Sequence, residues 1–470
     1  MENEQLTVKA KNKNDLTRGP VWKVILGFAL PLLIGNLLQQ LYNITDSIIV
    51  GRFLGKEALA AISASFFIYY FIISFVIGIG SGTSVVVSQF FGAKEYGKVQ
   101  RAFSSFFIFM LVAGILLSIT GMIFAEPVFR ITKTPEEVIP QAVAYFRIYI
   151  GGTFLFVTFN SIISILRGVG ESFRPMLFIL LSTLLNIALD LLFIIGFGWG
   201  IEGAARATVI SQGIGMCAAL IYVNNQHPLL SIKKQDLLFD GALFKEGLKI
   251  GLPTSIQQCA IALGLIALLG IVNSFGTDTL TAYGAAGKID TIITQAILTL
   301  SGALAAFCGQ NIGAGRLDRV QKGVRFSMLI NVVFSLAVVT SIFFFGDMMM
   351  LAFTNDPAVI DIGKEYLLIV GAFFIVHGML NIFNGTLRGA GDTVFPMAVG
   401  IVCLWLIRIP LAYWLSSILG RSGIWWAISF SITIGTIITY IYYKTGRWKS
   451  KNITNKTSTP ERNDLGNSSI

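Results

Sequence analysis

The sequence LRGVGESFRPM occupies residues 166–176, and a close copy, LRGAGDTVFPM, occupies residues 387–397. The separation of the two copies is close to half the length of the chain. Self-similarity at a long fixed period is the signature of a duplicated structural unit. The chain is therefore predicted to consist of two related halves, each with one copy of this segment.

Two further pairs of segments support the same duplication. SQFFGAKEYGKVQRA at 88–102 matches GQNIGAGRLDRVQKG at 309–323, at the same separation as the first pair. ALPLLIGNLLQQ at 29–40 matches GLPTSIQQCAIA at 251–262, at a separation longer by a single position. One single-position gap aligns all three pairs, so the duplication extends over most of the chain.

The composition places both halves in a membrane. Hydrophobic residues make up 54% of the chain and charged residues only 13%, against about 25% charged residues in ordinary soluble domains. The mean hydropathy is +0.74, which excludes a water-soluble globule. Runs such as 24–44 and 103–124 are predominantly apolar and contain no charged residue. They predict helices rather than the alternating strands of an outer-membrane barrel.

We expect an all-α integral membrane protein with twelve spans of about 20 residues each, six in each half. The predicted spans are residues 22–48, 58–80, 103–124, 141–165, 174–197, 201–223, 248–270, 281–303, 325–345, 362–386, 395–416 and 422–443. Repeats with an even number of spans insert in the same direction and are related by an axis along the membrane normal. Two such lobes in one chain favour a transporter over a channel.

The repeat also predicts the domain organisation. It comprises a cytoplasmic N-terminal tail (1–20), an N-terminal six-helix lobe (21–223), a cytoplasmic linker (224–247), a C-terminal six-helix lobe (248–443) and a tail (444–470). The last segment is rich in Lys, Ser, Thr and Asn without apolar periodicity, so it is predicted to be disordered.

The distribution of basic residues predicts the orientation in the membrane, because cytoplasmic loops are enriched in Lys and Arg. One set of loops and tails carries most of them. The opposite set carries only Arg52, Lys56, Arg130, Lys133, Lys364 and Arg421. Both termini are therefore expected in the cytoplasm, with the spans in the cell membrane and the polar N-terminus as an uncleaved tail. The net charge of +10 is not clustered, so no nucleic-acid partner is expected.

Cysteine and histidine residues give no indication of a metal-centred enzyme. The four cysteines lie inside apolar runs, where we expect them to pack in the core. The two histidines, His227 and His377, lie far apart in the chain, and no Cys or His pair has the spacing of metal ligands. No cofactor is expected.

Charged side chains inside the spans are few, and each one needs a reason because burying a charge in a bilayer is costly. The ones singled out as candidates are Asp46, Arg147, Asp190, Arg206, Lys288, Asp290 and Arg408. Pairing of Asp290 with Lys288 is one interpretation. Structural roles are the simpler interpretation for Arg147 and Arg408.

Two of these acids are predicted to form a cation-coupling site. Depth counted at about 1.5 Å per residue places Asp46, Asp190 and Thr208 in the outer half of the N-terminal lobe. Tyr42 lies four residues before Asp46, and Asn186 lies four before Asp190, so each acid has a polar neighbour on the same helix face. Two carboxylates in one apolar cavity share a proton or hold a cation such as Na⁺. This is the electrostatics that an H⁺- or Na⁺-driven carrier requires.

The duplication helps to separate function from architecture at these positions. Leu268 and Leu411 occupy the positions that match Asp46 and Asp190 in the second half. The scaffold therefore does not need an acid there, which favours a functional role. The alternatives are a hydrated Asp46 at a helix end and an Asp190 neutralised by Arg206.

Further polar residues inside the spans are candidates for lining a substrate cavity. They are Gln39 and Gln40 on the first span, Gln257 and Gln258 on the seventh, and Arg206 and Lys288. Hydrogen bonds between helices are the alternative role of the glutamines. Pro31 and Pro253 share one position of the repeat and are expected to bend the first and seventh spans.

These motifs resemble the multidrug and toxic compound extrusion (MATE) transporters over nearly all of residues 20–443. The resemblance rests on ALPLLIGNLLQQLYNITDSIIVGRFLG (29–55), the loop FFGAKEYGKVQRA, the repeated LRGxG and NIALDLLFIIGFGWGIEGAARATVISQ (186–212). The resemblance is strongest to the prokaryotic branch of this family. It implies a monomer in a bacterial cytoplasmic membrane, and a cation site made of Tyr42, Asp46, Asn186, Asp190 and Thr208. Members with a second cation site carry acids on spans 7 and 10. The corresponding stretches here, PTSIQQCAIALGL and LLIVGAFFIVHGMLNIF, contain no Asp or Glu, so a second site in the C-terminal lobe is not expected.

The sequence therefore predicts a secondary active antiporter that exports amphipathic, often cationic, organic compounds in exchange for H⁺ or Na⁺ by alternating access. Its partners are small organic molecules and the lipid bilayer. One alternative is a flippase or exporter of lipid-linked saccharides on a related two-lobe scaffold, which would need a cationic cavity. An intramembrane enzyme and a passive channel are the remaining alternatives.

Overall fold

The described residues of the chain, 15–227 and 229–454 in a computed structural model, form helices joined by short turns. The α-helices are α1 (Val21–Phe53), α2 (Lys56–Gly92), α3 (Tyr96–Ile131), α4 (Ile139–Gly151), α5 (Thr153–Gly168), α6 (Phe173–Asp190), α7 (Gly200–Asn225), α8 (Gly241–Asn273), α9 (Thr277–Gly313), α10 (Leu317–Leu351), α11 (Pro357–Gly371), α12 (Phe374–Gly389), α13 (Val394–Ile401), α14 (Ile409–Leu419) and α15 (Ser422–Thr445). Two π-helical segments, Leu191–Gly196 and Val402–Arg408, and a 3₁₀ turn, Arg447–Lys451, complete them. The predicted all-α fold class is confirmed.

The number of membrane spans agrees with the predicted twelve. Ten helices or continuous helical segments of the described chain are long and apolar enough to cross a bilayer. Two bent helix pairs, α4 with α5 and α11 with α12, bring the number to twelve if each pair is one span. The bends are 45° and 49° and fall at matching positions of the repeat. Pro31 and Pro253 both lie inside continuous helices, α1 and α8.

The described chain forms two compact units. The first unit contains residues 28–87 and 96–255, and the second contains residues 15–27, 88–95 and 256–454. The chain passes from one unit to the other inside helices α1, α2 and α8. The lobe boundaries predicted from the repeat remain predictions.

Each unit has its own aromatic core. In the first unit, Phe129 of α3 and Phe146 of α4 are buried and meet edge to face, with ring centroids 5.5 Å apart. In the second unit, Trp425 of α15 is fully buried and stacks parallel to Tyr283 of α9, with centroids 5.7 Å apart. These large side chains fix the helices of each bundle around one core.

Small residues allow α2 and α8 to cross closely within the first unit. Gly78 and Gly82 of α2 lie against Ser255 and Gly251 of α8. The Ser255 hydroxyl donates a hydrogen bond to the Phe75 carbonyl at 2.7 Å. Close approach at small residues spaced four apart is the usual way in which membrane helices associate.

Matched contacts in the two units support the duplication. Glu171 follows the first copy of LRGxG and accepts hydrogen bonds from the Tyr222 hydroxyl at 3.0 Å. Asp392 follows the second copy and accepts one from the Tyr442 hydroxyl at 2.5 Å. Both acids are buried. Each unit therefore ties the turn after its LRGxG segment to the end of its last long helix.

The structure differs from the expected disordered tail over residues 444–454. Helix α15 continues to Thr445, and the buried Trp448 stacks on Tyr443 with centroids 5.4 Å apart. The Ile453 N–H donates a hydrogen bond to Gln89 Oε1 at 2.9 Å. Residues 455–470 lie outside the described part.

The N-terminal segment is held in the corresponding way. The Leu16 N–H donates a hydrogen bond to Gln310 Oε1 at 3.0 Å, and Arg319 Nη1 donates one to the Gly19 carbonyl at 2.8 Å. Gln310 matches Gln89 in the repeat. Residues 1–14 of the predicted N-terminal tail lie outside the described part.

Replacing Gly82 with alanine is expected to lower the stability of the protein, because the new Cβ would lie 2.5 Å from the Gly251 nitrogen. The expected loss is about 1–3 kcal/mol. Gly302 of α9 is the matched control, since a Cβ there meets nothing within 4 Å. Gly302→Ala should raise stability by about 0.5–1 kcal/mol through helix propensity. Thermal unfolding in detergent measures both. Unfolding midpoints that shift in the same direction and by the same amount in the two variants would contradict the close crossing of α2 and α8.

Candidate functional site

Three helices of the first unit bring the five predicted cation-coupling residues together. Tyr42 and Asp46 lie one turn apart on α1, Asn186 and Asp190 lie one turn apart on α6, and Thr208 lies on α7. Asp190 is 0% exposed and Asp46 is 8% exposed. Because the residues of each pair are four positions apart, they lie on one face of their helix. The pair on α1 and the pair on α6 therefore meet at the same place.

Hydrogen bonds join the three helices at this point. Thr208 Oγ1 donates to the Ala204 carbonyl at 3.1 Å, which leaves it to accept from the Tyr42 hydroxyl, also at 3.1 Å. With its amide oriented to satisfy both of its groups, Asn186 donates to Asp190 Oδ2 at 2.9 Å and accepts from the Thr208 N–H at 3.3 Å. Asn186 and Thr208 thus orient Asp190 and Tyr42.

The two acids lie close enough to interact electrostatically. A carboxyl pair of this kind can share one proton, which leaves a single negative charge. Without that proton, two buried negative charges repel unless a cation lies between them. The pair therefore needs one positive charge.

The remaining oxygen atoms fit either a proton or a hard cation. Oδ1 of Asp46 and Oδ1 of Asp190 are both buried without a hydrogen-bond partner among the described residues. Carboxylate, amide and hydroxyl oxygens are the ligands that hard cations prefer. No three His, Cys, Asp or Glu side chains of the described chain form a metal site.

Tyrosines that the sequence reasoning missed line the same site. Tyr145 and Tyr149 of α4 are close enough to Asp46 to interact with it electrostatically. The ring of Tyr149 lies 5.6 Å from that of Tyr145 and 4.3 Å from that of Tyr69 on α2. A spacing of four residues between Tyr145 and Tyr149 was a signal that could have identified them.

A π-helical segment begins directly after Asp190. It covers Leu191–Gly196 and continues α6 with a wider turn. Such segments are rare and occur frequently at functional sites. Nothing in the apolar run that follows Asp190 predicted it.

Arg206 does not neutralise Asp190. Its guanidinium pairs with Glu202 at 2.6 Å and lies over the ring of Trp199, 5.1 Å from the ring centroid. The alternative in which Asp190 is paired with Arg206 is therefore wrong. The role of Arg206 in a substrate cavity stays a prediction.

The candidate glutamines divide between the two units. Gln39 is exposed, and Gln40 accepts a hydrogen bond from Asn43 at 3.4 Å in the first unit. Gln257, in the second unit, donates to the Pro396 carbonyl at 3.1 Å, so it joins two helices as the alternative role requires. Gln258 beside it is half-buried.

Two of the basic residues inside the spans lie away from any carboxylate. Lys288 is exposed, and its ammonium lies over Phe353, 5.7 Å from the ring centroid. Among the described residues it forms no ion pair, so its suggested pairing with Asp290 is wrong. Arg147 is also exposed.

Comparison with known proteins gives one consistent result. The family model described as MatE matches residues 31–192 and 253–414, once in each half of the repeat. The chain is 32% identical to the "Probable multidrug resistance protein YpnP" of Bacillus subtilis, over 93% of this chain and 98% of that protein. It is 26% identical to the "Probable multidrug resistance protein NorM" of Thermotoga maritima, over 91% and 93% of the two chains. It is also 26% identical to the "FAD transporter" of Shewanella oneidensis, over 92% and 96%.

Solved structures give the same result. The chain is similar to an outward-facing multidrug resistance MATE family transporter, with 25% identity and a TM-score of 0.88 over 94% of this chain and 99% of the other. It is similar to a MATE transporter in a bent conformation, with 25% identity and a TM-score of 0.87 over 95% and 98%.

Asp190→Asn is expected to change how stability depends on pH. In the wild type, raising the pH removes the shared proton and leaves two repelling buried charges, so the unfolding midpoint should fall as the pH rises. In the variant, the asparagine amide donates a hydrogen bond to Asp46 without that proton. The unfolding midpoint of the variant should therefore fall less with pH than that of the wild type, and at pH 9 the variant should be the more stable protein. Thermal unfolding in sodium-free detergent buffer measures this.

The matched control is Asp347→Asn, because Asp347 is exposed and pairs with Lys364 at 2.6 Å. The unfolding midpoint of this variant should depend on pH as that of the wild type does. Equal slopes in the wild type and Asp190→Asn would contradict the shared proton. Added Na⁺ should stabilise the wild type at pH 9 only if Na⁺ replaces the proton.

Proposed function

Because this chain belongs to the MatE family of multidrug efflux transporters, we propose that it exports amphipathic, often cationic, organic compounds in exchange for H⁺ or Na⁺ by alternating access. It is a multi-pass membrane transporter and not an enzyme, and the resemblance read from its motifs is confirmed. The proximity of Asp46 and Asp190 is the observation that carries the proposal of cation coupling.

The carboxyl pair supplies the coupling. It accepts one positive charge from the outside and releases it inside, while Asn186 and Thr208 hold Asp190 in place. One elementary charge that crosses 100 mV provides about 2.3 kcal/mol. At 1.4 kcal/mol per factor of ten, this corresponds to roughly 50-fold accumulation of a neutral substrate.

Helix α1 is suited to transmit the change. It carries Asp46, and it also carries Pro31, which cannot donate a hydrogen bond to the carbonyl of Gly27. The chain passes between the two units at Gly27 and Phe28. Binding and release of the cation at Asp46 would therefore act on a helix that can bend where the units change.

The substrate class follows the names of the relatives. Two of the three relatives are named as multidrug resistance proteins and one as an FAD transporter. A flippase for lipid-linked saccharides is not favoured, since these relatives are named as multidrug resistance proteins and an FAD transporter. We also propose that the protein is a monomer in a cell membrane, with both termini in the cytoplasm.

Asp46→Asn is expected to abolish ethidium movement driven by a cation gradient, because the neutral variant no longer needs the coupling cation. Proteoliposomes with an imposed pH gradient, and then with an imposed Na⁺ gradient, measure this. Asp347→Asn is the matched control and should transport like the wild type. The gradient that drives wild-type movement identifies the cation. Full gradient-driven transport by Asp46→Asn would refute the site.

A further inference from the structure

The second unit contains a group of charged and aromatic residues that the cation site does not use. Asp290 lies on α9 and Arg408 ends the π-helical segment Val402–Arg408. Tyr283, Tyr366 and His377 surround them, and each is close enough to Arg408 for electrostatic interaction.

Arg408 lies about 16 Å along the helix from Leu419, and Asp290 about 20 Å from Thr277, at about 1.5 Å per residue. Both charges are thus far from the helix ends.

Arg408 has no ion-pair partner in the part of the chain that the structure describes. Its Nε donates to Ser431 Oγ at 2.8 Å, and no carboxylate oxygen lies within 4.0 Å of the guanidinium. Asp290 interacts with Arg408 only from beyond that distance.

An arginine with a purely structural role would be paired. Arg421, at the end of the same unit, shows the usual arrangement, with Glu365 3.3 Å from its guanidinium. An unpaired arginine inside a span is costly, and such residues mark substrate or ion pathways. Arg408 is half-buried rather than sealed in the core.

An aromatic wall lies beside this guanidinium. Tyr283 is parallel to Trp425 within 2°, and Tyr366 meets Trp425 edge-on at 4.9 Å. Trp425 is 0% exposed, and its Nε1–H has no acceptor among the described residues. Because Trp425 is fully buried, the parallel stacking on it sets the orientation of the half-buried Tyr283 ring.

The same place in the first unit carries different chemistry. Asp290 matches Tyr69 in the repeat, and Tyr366 matches Tyr145, both at the separation of the two LRGxG copies. Tyr69 and Tyr145 belong to the group of tyrosines around the cation site. The second unit therefore has a counterpart of that site with one acid and one arginine instead of two acids.

We propose that Arg408 binds the carboxylate of amphoteric organic substrates, with Tyr283 against the substrate's flat ring. The proposal rests on the proposed export function and extends it to compounds that carry a carboxylate. A guanidinium binds a carboxylate through two parallel hydrogen bonds. With Asp290 beyond ion-pair distance and no other carboxylate in reach among the described residues, this capacity of Arg408 is free for a ligand.

Two matched dyes test the proposal with the full-length chain in detergent. Tetramethylrhodamine carries a carboxylate, whereas its methyl ester has the same cationic ring system without that charge. Fluorescence anisotropy titrations give the affinity for each. The wild type should prefer the acid over the ester.

In Arg408→Gln, affinity for the acid should fall roughly 10- to 100-fold, the size expected for a hydrogen-bonded charge, and affinity for the ester should stay within about twofold. Arg421→Gln is the matched control and should bind both dyes like the wild type. Arg408→Lys keeps the positive charge without the two-pronged geometry, so its loss for the acid should be smaller. Unfolding midpoints show which variants are folded, and Arg408→Lys carries the test if Arg408→Gln does not fold.

Equal loss for both dyes, no loss for either, or a wild type that does not prefer the acid would overturn the proposal. None of these titrations needs a gradient. A failure of gradient-driven ethidium transport would therefore refute the export function and leave the preference for the acid measurable, so the two failures are distinguishable.

Discussion

The cost of an uncompensated charge in a bilayer is the constraint on which both units depend. In the first unit two buried carboxyl groups lie close enough to interact, and one proton or cation would remove the repulsion between their charges. In the second unit an acid and an arginine lie in the same region without forming a close pair. In our proposals, the first arrangement takes up the driving cation and the second binds the substrate.

The duplication supplies one scaffold for both solutions. The contacts that repeat, such as Glu171 with Tyr222 and Asp392 with Tyr442, hold helix ends and turns. The contacts that differ lie inside the spans, where Asp46 and Asp190 have leucines as their counterparts. The scaffold thus tolerates changes of charge at the span interiors, because its stability comes from close helix crossings and the aromatic cores.

The fold and the grouping of the five candidate residues could be predicted because local rules determine them. Apolar run length gives the spans, and a spacing of four residues puts Tyr42 beside Asp46 and Asn186 beside Asp190. Contacts between distant residues were not predictable. The 444–454 segment has a polar composition, yet Trp448 is buried against Tyr443. The π-helical segments have no local signal. The pairing of Arg206 with Glu202, four residues earlier on the same helix, follows from helix spacing and was missed.

The charge requirement also bears on which substrates one carrier can exchange. A cationic drug and an amphoteric compound differ by one carboxylate, so their net charges differ by one. If Arg408 neutralises that carboxylate in the bound state, both compounds present the same positive ring system to the rest of the protein. The carboxyl pair in the first unit then meets the same electrostatic conditions with either substrate. A single coupling site could therefore serve both classes without any change in its own residues.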